Sequence, residues 1–278
     1  MIIIKILKVP FIVFWVALFI LYSILMNIFI SNKKSKIRKQ LATTSFFCKV
    51  LNKLIGIKIN VNGIENFKVF ENGLIVANHL SYIDILVLIS EVPSIFISSV
   101  EVEKTFLLGY IVKLGGAIFI ERRSRKDIKK EIEKITKKLK DGFNVAFFPE
   151  GTTTNGDKIK GFKSSFFESA AESSVNILPV CIFYDKINNK DINESNRDKV
   201  FYYGNMKFFS HFFKLLFVKN IKIRVDFLEP IKDLKDRKEL SQIAYEKVSY
   251  KYNLLKKLKL EKGKIDGQEI KSTFCLRA

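Results

Sequence analysis

The sequence predicts an α/β fold, a largely parallel mixed sheet flanked by helices and preceded by an N-terminal membrane helix, and three observations carry that expectation. From residue 58 onward, short apolar runs alternate with amphipathic stretches, the pattern of parallel strands joined by crossover helices. Residues 125–140 put Ile128, Ile132, Ile135 and Leu139 on one helical face, Lys and Glu on the other, and Gly142 beyond the end. Residues 9–30 form an unbroken run of 22 without a charged side chain.

As a helix that run is roughly 33 Å long, enough to cross a hydrocarbon core. A cleaved leader has a shorter apolar region and a small-residue cleavage motif. Here the run leads into Ser31-Asn32-Lys33-Lys34, so the helix is expected to remain as an anchor. Lys33, Lys34, Lys36, Arg38 and Lys39 after it, against Lys5 and Lys8 before it, place the rest of the chain on the cytoplasmic face. Pro10, Ser23 and Asn27 interrupt the run, and a second apolar stretch at 46–57 offers a partner. A single spanning helix and a monotopic hairpin in one leaflet are therefore both open.

The domain plan follows: an anchor at 1–32, a basic amphipathic interfacial helix at 33–57, an α/β domain at 58–260 and a loose tail at 261–278. Strands are expected at 58–61, 74–77, 95–98, 117–121, 145–148, 177–183, 200–203 and 221–227. A second amphipathic helix is expected at 239–260, with Leu240, Ile243, Ala244, Val248, Tyr252 and Leu255 on its apolar face.

Forty-eight Lys and Arg against 28 Asp and Glu, a formal charge of +20, favour an anionic partner such as nucleic acid, lipid headgroups or an acidic carrier protein. An AT-rich coding bias toward Lys, Ile, Asn and Phe accounts for the balance equally well. The apolar run makes an anionic membrane surface the expected partner rather than nucleic acid. Cys48, Cys181 and Cys275 are odd in number and widely spaced, which gives neither a disulfide framework nor a zinc site, and no metal is expected. No Gly-x-Ser-x-Gly elbow and no Gly-rich phosphate loop of the GxxxxGK or GxGxxG type occurs.

Candidate chemistry begins at His79, one of two histidines. It lies in Asn78-His79-Leu80-Ser81-Tyr82-Ile83-Asp84, directly after an apolar strand, where strand ends of α/β sheets carry ligand sites. An imidazole is unprotonated near neutral pH and suits general-base work. Asp84 serves as its orienting carboxylate if the chain turns from strand into helix between them, because a spacing of five on one helix points the side chains apart. Ser81-x-x-Asp84 also reads as a capping box, so a helix-capping role for Asp84 stays open. His211, within 208–217, is expected in an aromatic cluster facing either the membrane or the core.

Three further segments accompany His79: Gly116-Ala117-Ile118-Phe119-Ile120-Glu121-Arg122, Phe147-Phe148-Pro149-Glu150-Gly151-Thr152 and Ile177-Leu178-Pro179-Val180. In this order and spacing, over about 73–183, the four segments resemble the glycerolipid acyltransferase family typified by 1-acylglycerol-3-phosphate acyltransferases. The resemblance implies transfer of an acyl group from acyl-CoA or acyl carrier protein to the free hydroxyl of a lyso-lipid, above all 1-acylglycerol-3-phosphate. It makes His79 the base and Asp84 its partner, and puts Arg122 on the acceptor phosphate. Glu150, Gly151 and Thr152 then shape the acceptor site, and Pro179 lines the acyl or donor region. It implies no bound cofactor.

One departure stands out. Many relatives place an arginine after Phe-Pro-Glu-Gly-Thr, where this chain has Thr153; Lys158, Lys160 and Lys163 follow. Lyso-ornithine lipid and lysophosphatidylcholine are thus alternative acceptors. A rival of another class is a non-enzymatic basic protein binding membrane or polyanion, which leaves the four ordered segments unexplained.

Overall fold

A computed structural model describes residues 2–121 and 127–275, with side chains over 8–121 and 127–261. The apolar run forms α1 (Ile2–Phe29), which turns back into α2 (Lys33–Ile55). Asn32 starts α2 by accepting the Ser35 N–H at 2.9 Å, and Gly56, at φ +95°, ends it. Ile12, Phe19 and Met26, seven residues apart, form the buried seam of α1, whereas Phe11, Phe14 and Leu21 on its outer side are exposed. Trp15 ties the hairpin together through its indole N–H, which donates to the Phe47 carbonyl at 3.0 Å.

The α/β body continues with β1 (Ile57–Asn62), α3 (Ile64–Lys68), β2 (Gly73–Ala77), α4 (Ile83–Glu91), β3 (Ile95–Ser99), α5 (Val100–Glu103), α6 (Leu108–Leu114) and β4 (Ile118–Ile120). After α7 (Ile128–Lys140) come β5 (Val145–Phe147), α8 (Glu168–Ser173), β6 (Asn176–Ile187), β7 (Lys190–Asp191), α9 (Phe208–Leu216), β8 (Ile221–Phe227) and α10 (Arg237–Cys275). The sheet order is β1-β8-β6-β2-β5-β3-β4, with β7 folded back on β6. Strands β6, β2, β5, β3 and β4 run parallel; β8 is antiparallel to β6 and carries β1 parallel beside it. The fold is the expected largely parallel mixed sheet flanked by helices.

Strand β2 explains why it reads as an uninterrupted apolar run. Leu74 and Val76 face one core cluster with Ile135 and Leu139 of α7, while Ile75 and Ala77 face the other with Val87 and Leu88 of α4. Covered on both faces, such a strand has no solvent side to be polar. Each fully buried Leu or Ile contributes about 1.5–3 kcal/mol relative to exposure.

Two expectations are corrected. Residues 200–203 form no strand: a 3-10 turn at Arg197–Lys199 leads into Val200 and Phe201, which bury against the core, and the Tyr202 N–H donates to the Leu80 carbonyl at 3.0 Å. A short apolar run marks burial, and periodicity cannot tell whether a sheet receives it. The helix expected to stop near residue 260 continues through Cys275, so 261–275 is helical rather than a loose tail. Extending an existing helix needs no new nucleus, and a Lys- and Glu-rich segment can follow without an apolar stripe.

Candidate active site

The parallel strands β6, β2, β5 and β3 end on one edge, and the loops leaving β2 and β5 meet there. Asn78, the first residue beyond β2, prolongs the ladder with its side chain. Its amide donates to the Ile182 carbonyl at 2.9 Å and accepts the Ile182 N–H at 2.8 Å, so the chain can leave the sheet without orphaning the β6 backbone. The turn into α4 follows, and its geometry brings residues 79 and 84 together.

His79 Nδ1 lies 3.0 Å from Asp84 Oδ2. The same oxygen accepts the backbone N–H groups of Leu80 at 2.6 Å and Ser81 at 2.8 Å. Tyr184 on β6 donates its hydroxyl to Asp84 Oδ1 at 2.7 Å. Four donors thus converge on one fully buried carboxylate, and capping the turn and orienting the histidine are two parts of one arrangement. Because an ionised carboxylate only accepts, Nδ1 carries the hydrogen and Nε2 is left as the basic nitrogen. Burial, with Asp84 beside it, pushes the Tyr184 hydroxyl well above its ordinary range, so it stays a donor.

The imidazole is also held by its faces. Phe148, the first residue after β5, stacks on it with centroids 3.8 Å apart and planes 9° from parallel, and Phe96 of β3 packs against Phe148. The His79 side chain remains 15 % exposed, so the ring is not fully enclosed.

Glu150 joins the two loops. Its carboxylate accepts the His79 N–H at 2.7 Å and the Lys160 N–H at 2.8 Å, while the His79 carbonyl accepts the Thr154 N–H at 3.0 Å. Gly151, at φ +70°, makes the turn, and a Cβ there would meet the Lys163 ammonium at 2.9 Å. Lys163 therefore lies over the Glu-Gly-Thr turn, and Thr152 is exposed at its tip.

Burial raises the Glu150 carboxyl to about 7, against the pull of the Lys160 and His79 N–H groups. A carboxyl raised in the folded state binds its proton more tightly there than in the unfolded chain. Its contribution to stability is therefore full below about pH 4.5 and is lost as pH rises toward 7. Glu150→Gln removes that titration, so the stability of the native protein minus that of this variant should fall by on the order of 3 kcal/mol from pH 4.5 to pH 7.5. Denaturant titration at the two pH values measures it; a constant difference would show that Glu150 does not titrate there.

Pro179 lies inside β6, buried and paired with Val76 of β2. Its carbonyl accepts the Leu228 N–H at 2.9 Å, but it has no N–H to return, and the β6–β8 pairing ends there. Arg122 lies outside the described residues. Tyr184, Asn78 and Phe148 carry no mark in the sequence that assigns them to the site; Tyr184 reaches Asp84 only because β6 lies beside β2. Cys181, also on β6, is buried, and burial drives its thiol far up, out of reach as a nucleophile. Among the described residues no group of three or more His, Cys, Asp or Glu is arranged to hold a metal ion.

Residues 58–183 match the family model described as Acyltransferase. That segment, a little under half of the chain, is what resembles the acyltransferase family. It is 32 % identical over 159 residues to the 1-acyl-sn-glycerol-3-phosphate acyltransferase of Neisseria meningitidis serogroup B, covering 56 % of this chain and 60 % of that protein. It is 34 % identical over 174 residues to the lyso-ornithine lipid O-acyltransferase of Pseudomonas aeruginosa, covering 62 % and 65 %. The chain thus spans a little under two thirds of the length of these two relatives. Its fold matches the crystal structure of the 1-acyl-sn-glycerophosphate (LPA) acyltransferase PlsC from Thermotoga maritima with a TM-score of 0.65, over 91 % of this chain and 97 % of that one at 22 % identity.

Proposed function

We propose that the chain is a membrane-attached O-acyltransferase that moves a fatty acyl group from acyl-CoA or acyl carrier protein to the free hydroxyl of 1-acylglycerol-3-phosphate, giving phosphatidic acid for phospholipid synthesis. The observation that carries this reading is the 3.0 Å contact between His79 and Asp84 at the sheet edge, inside the segment that matches the family model. His79 Nε2 takes the proton of the acceptor hydroxyl while Asp84 holds the Nδ1–H and stabilises the imidazolium. The acceptor oxygen attacks the thioester carbonyl, an ester C–O bond forms, and the C–S bond breaks. The thiolate leaves with the proton returned by His79. This chemistry calls for no metal and no bound cofactor.

Arg122, with its planar fork of donors, and the Glu150–Thr152 turn would take the acceptor phosphate, and Lys163 supplies charge over that turn in place of an arginine at 153. Thr153 itself favours a second reading, acylation of lyso-ornithine lipid, the substrate named for the Pseudomonas relative. For location, α1 is long and apolar enough to cross a membrane over Lys8–Phe29, yet it packs along α2, α6 and α9. We therefore place it within one leaflet, with the α/β body on the cytoplasmic side.

A labelled acyl-transfer assay with both donors and with 1-acylglycerol-3-phosphate, lyso-ornithine lipid and lysophosphatidylcholine tests the reading. The phosphate acceptor should be preferred, and Arg122→Ala should weaken its use by about 1.5–3 kcal/mol, the loss of a charged hydrogen bond. Preference for lyso-ornithine lipid would select the second reading, and transfer to none would reject both.

A further inference from the structure

Helix α9 has two faces of opposite character. Its inner face buries His211, Leu215 and Leu216, and His211 Nδ1 lies 3.0 Å from the hydroxyl of Tyr82, a residue of the turn between His79 and Asp84. Its outer face carries Phe209 and Phe213, one helical turn apart and 71 % and 58 % exposed. A soluble surface gains nothing from two adjacent phenylalanines in water; a contiguous exposed apolar patch marks an interaction site.

Two observations say what covers it. Helix α9 packs against α1, with Leu215 and Leu216 sharing one cluster with Ile12, and α1 has exposed phenylalanines of its own in Phe11 and Phe14. Residues 200–225 also contain no Asp or Glu, while Lys207 and Lys214 lie at the start and in the last turn of α9 and are exposed. An apolar stripe flanked along its own segment by lysines is the composition of a helix lying at an anionic bilayer surface.

We propose that α9 is a second membrane-docking element, inserting Phe209 and Phe213 into the acyl-chain boundary of the leaflet beside α1 while Lys207 and Lys214 meet lipid phosphates. Through the Tyr82–His211 contact and the Tyr202–Leu80 hydrogen bond, a docked α9 fixes the His79 turn at the depth of the headgroups, where a lyso-lipid hydroxyl lies. The docking claim rests on exposure, packing and charge and does not depend on which acceptor is used.

The full chain with Phe213→Trp in a Trp15→Phe background carries one tryptophan, since Trp15 is the only native one. Reconstituted in phosphatidylcholine–phosphatidylglycerol vesicles, it should emit at shorter wavelength than in water and lose about half or more of its intensity when the lipids are brominated on their acyl chains. An environment-sensitive dye on Phe209→Cys, in a Cys275→Ser chain that keeps Trp15, should report the same depth. Water-like emission without quenching at both positions would overturn the proposal. So would a blue shift that needs no lipid and grows with protein concentration, which would assign the face to a second copy of the chain.

Discussion

Replacing His79 by alanine is expected to lower turnover in the proposed acyl transfer by about 10²- to 10⁴-fold, the range for loss of a general base, with the melting temperature little changed. The reason for the second half lies in how the turn is held. Its hydrogen bonds run from the backbone of His79, Leu80 and Ser81 to Glu150 and Asp84, and from the Thr154 N–H to the His79 carbonyl; none of these needs the imidazole. The ring contributes the stack on Phe148 and one bond to Asp84. Turnover and thermal melting measured on one preparation separate the cases. Turnover within tenfold of native in a folded protein would remove His79 from the reaction.

Asp84→Asn tests the partner and should produce a loss on the order of 10³- to 10⁴-fold, as for the aspartate of a Ser-His-Asp triad. The amide is nearly the same size, and its single oxygen can face Leu80, Ser81 and His79 as Oδ2 does now. The NH2 group then meets the Tyr184 hydroxyl, which can accept as well as donate. The turn survives with its charged hydrogen bonds weakened to neutral ones, costing roughly 1 kcal/mol each. A neutral amide cannot stabilise the imidazolium that forms when His79 takes a proton. If the variant folds and turns over near the native rate, Asp84 only caps the turn and the proposed mechanism fails.

These two variants divide the labour because capping and orientation, alternatives when only Ser81-x-x-Asp84 is read, share one carboxylate in the fold. One oxygen of Asp84 cannot be assigned to the backbone or to the imidazole from spacing alone. The three-dimensional turn lets it serve both.

Much of the molecule follows from local pattern. A strand covered on both faces must be apolar throughout, so 73–77 and 145–147 stand out; a helix on the sheet surface must repeat its apolar residues every three or four positions, so 128–140 stands out. The uncharged run at 9–30 and the strand-end placement of His79 and Glu150 are likewise properties of neighbours along the chain. What the chain order could not hold are relations between segments: Tyr184 donating to Asp84 across 100 residues, Phe148 stacking on His79, Tyr202 tied to Leu80, and α9 seated against both α1 and Tyr82. Such contacts depend on strand order, β6 beside β2 beside β5, and a strand's composition reports its burial but not its neighbours. For the same reason 200–203, apolar and short, could be read as buried but not as a cover over the site loop. Burial was encoded residue by residue; partnership arose when the sheet closed.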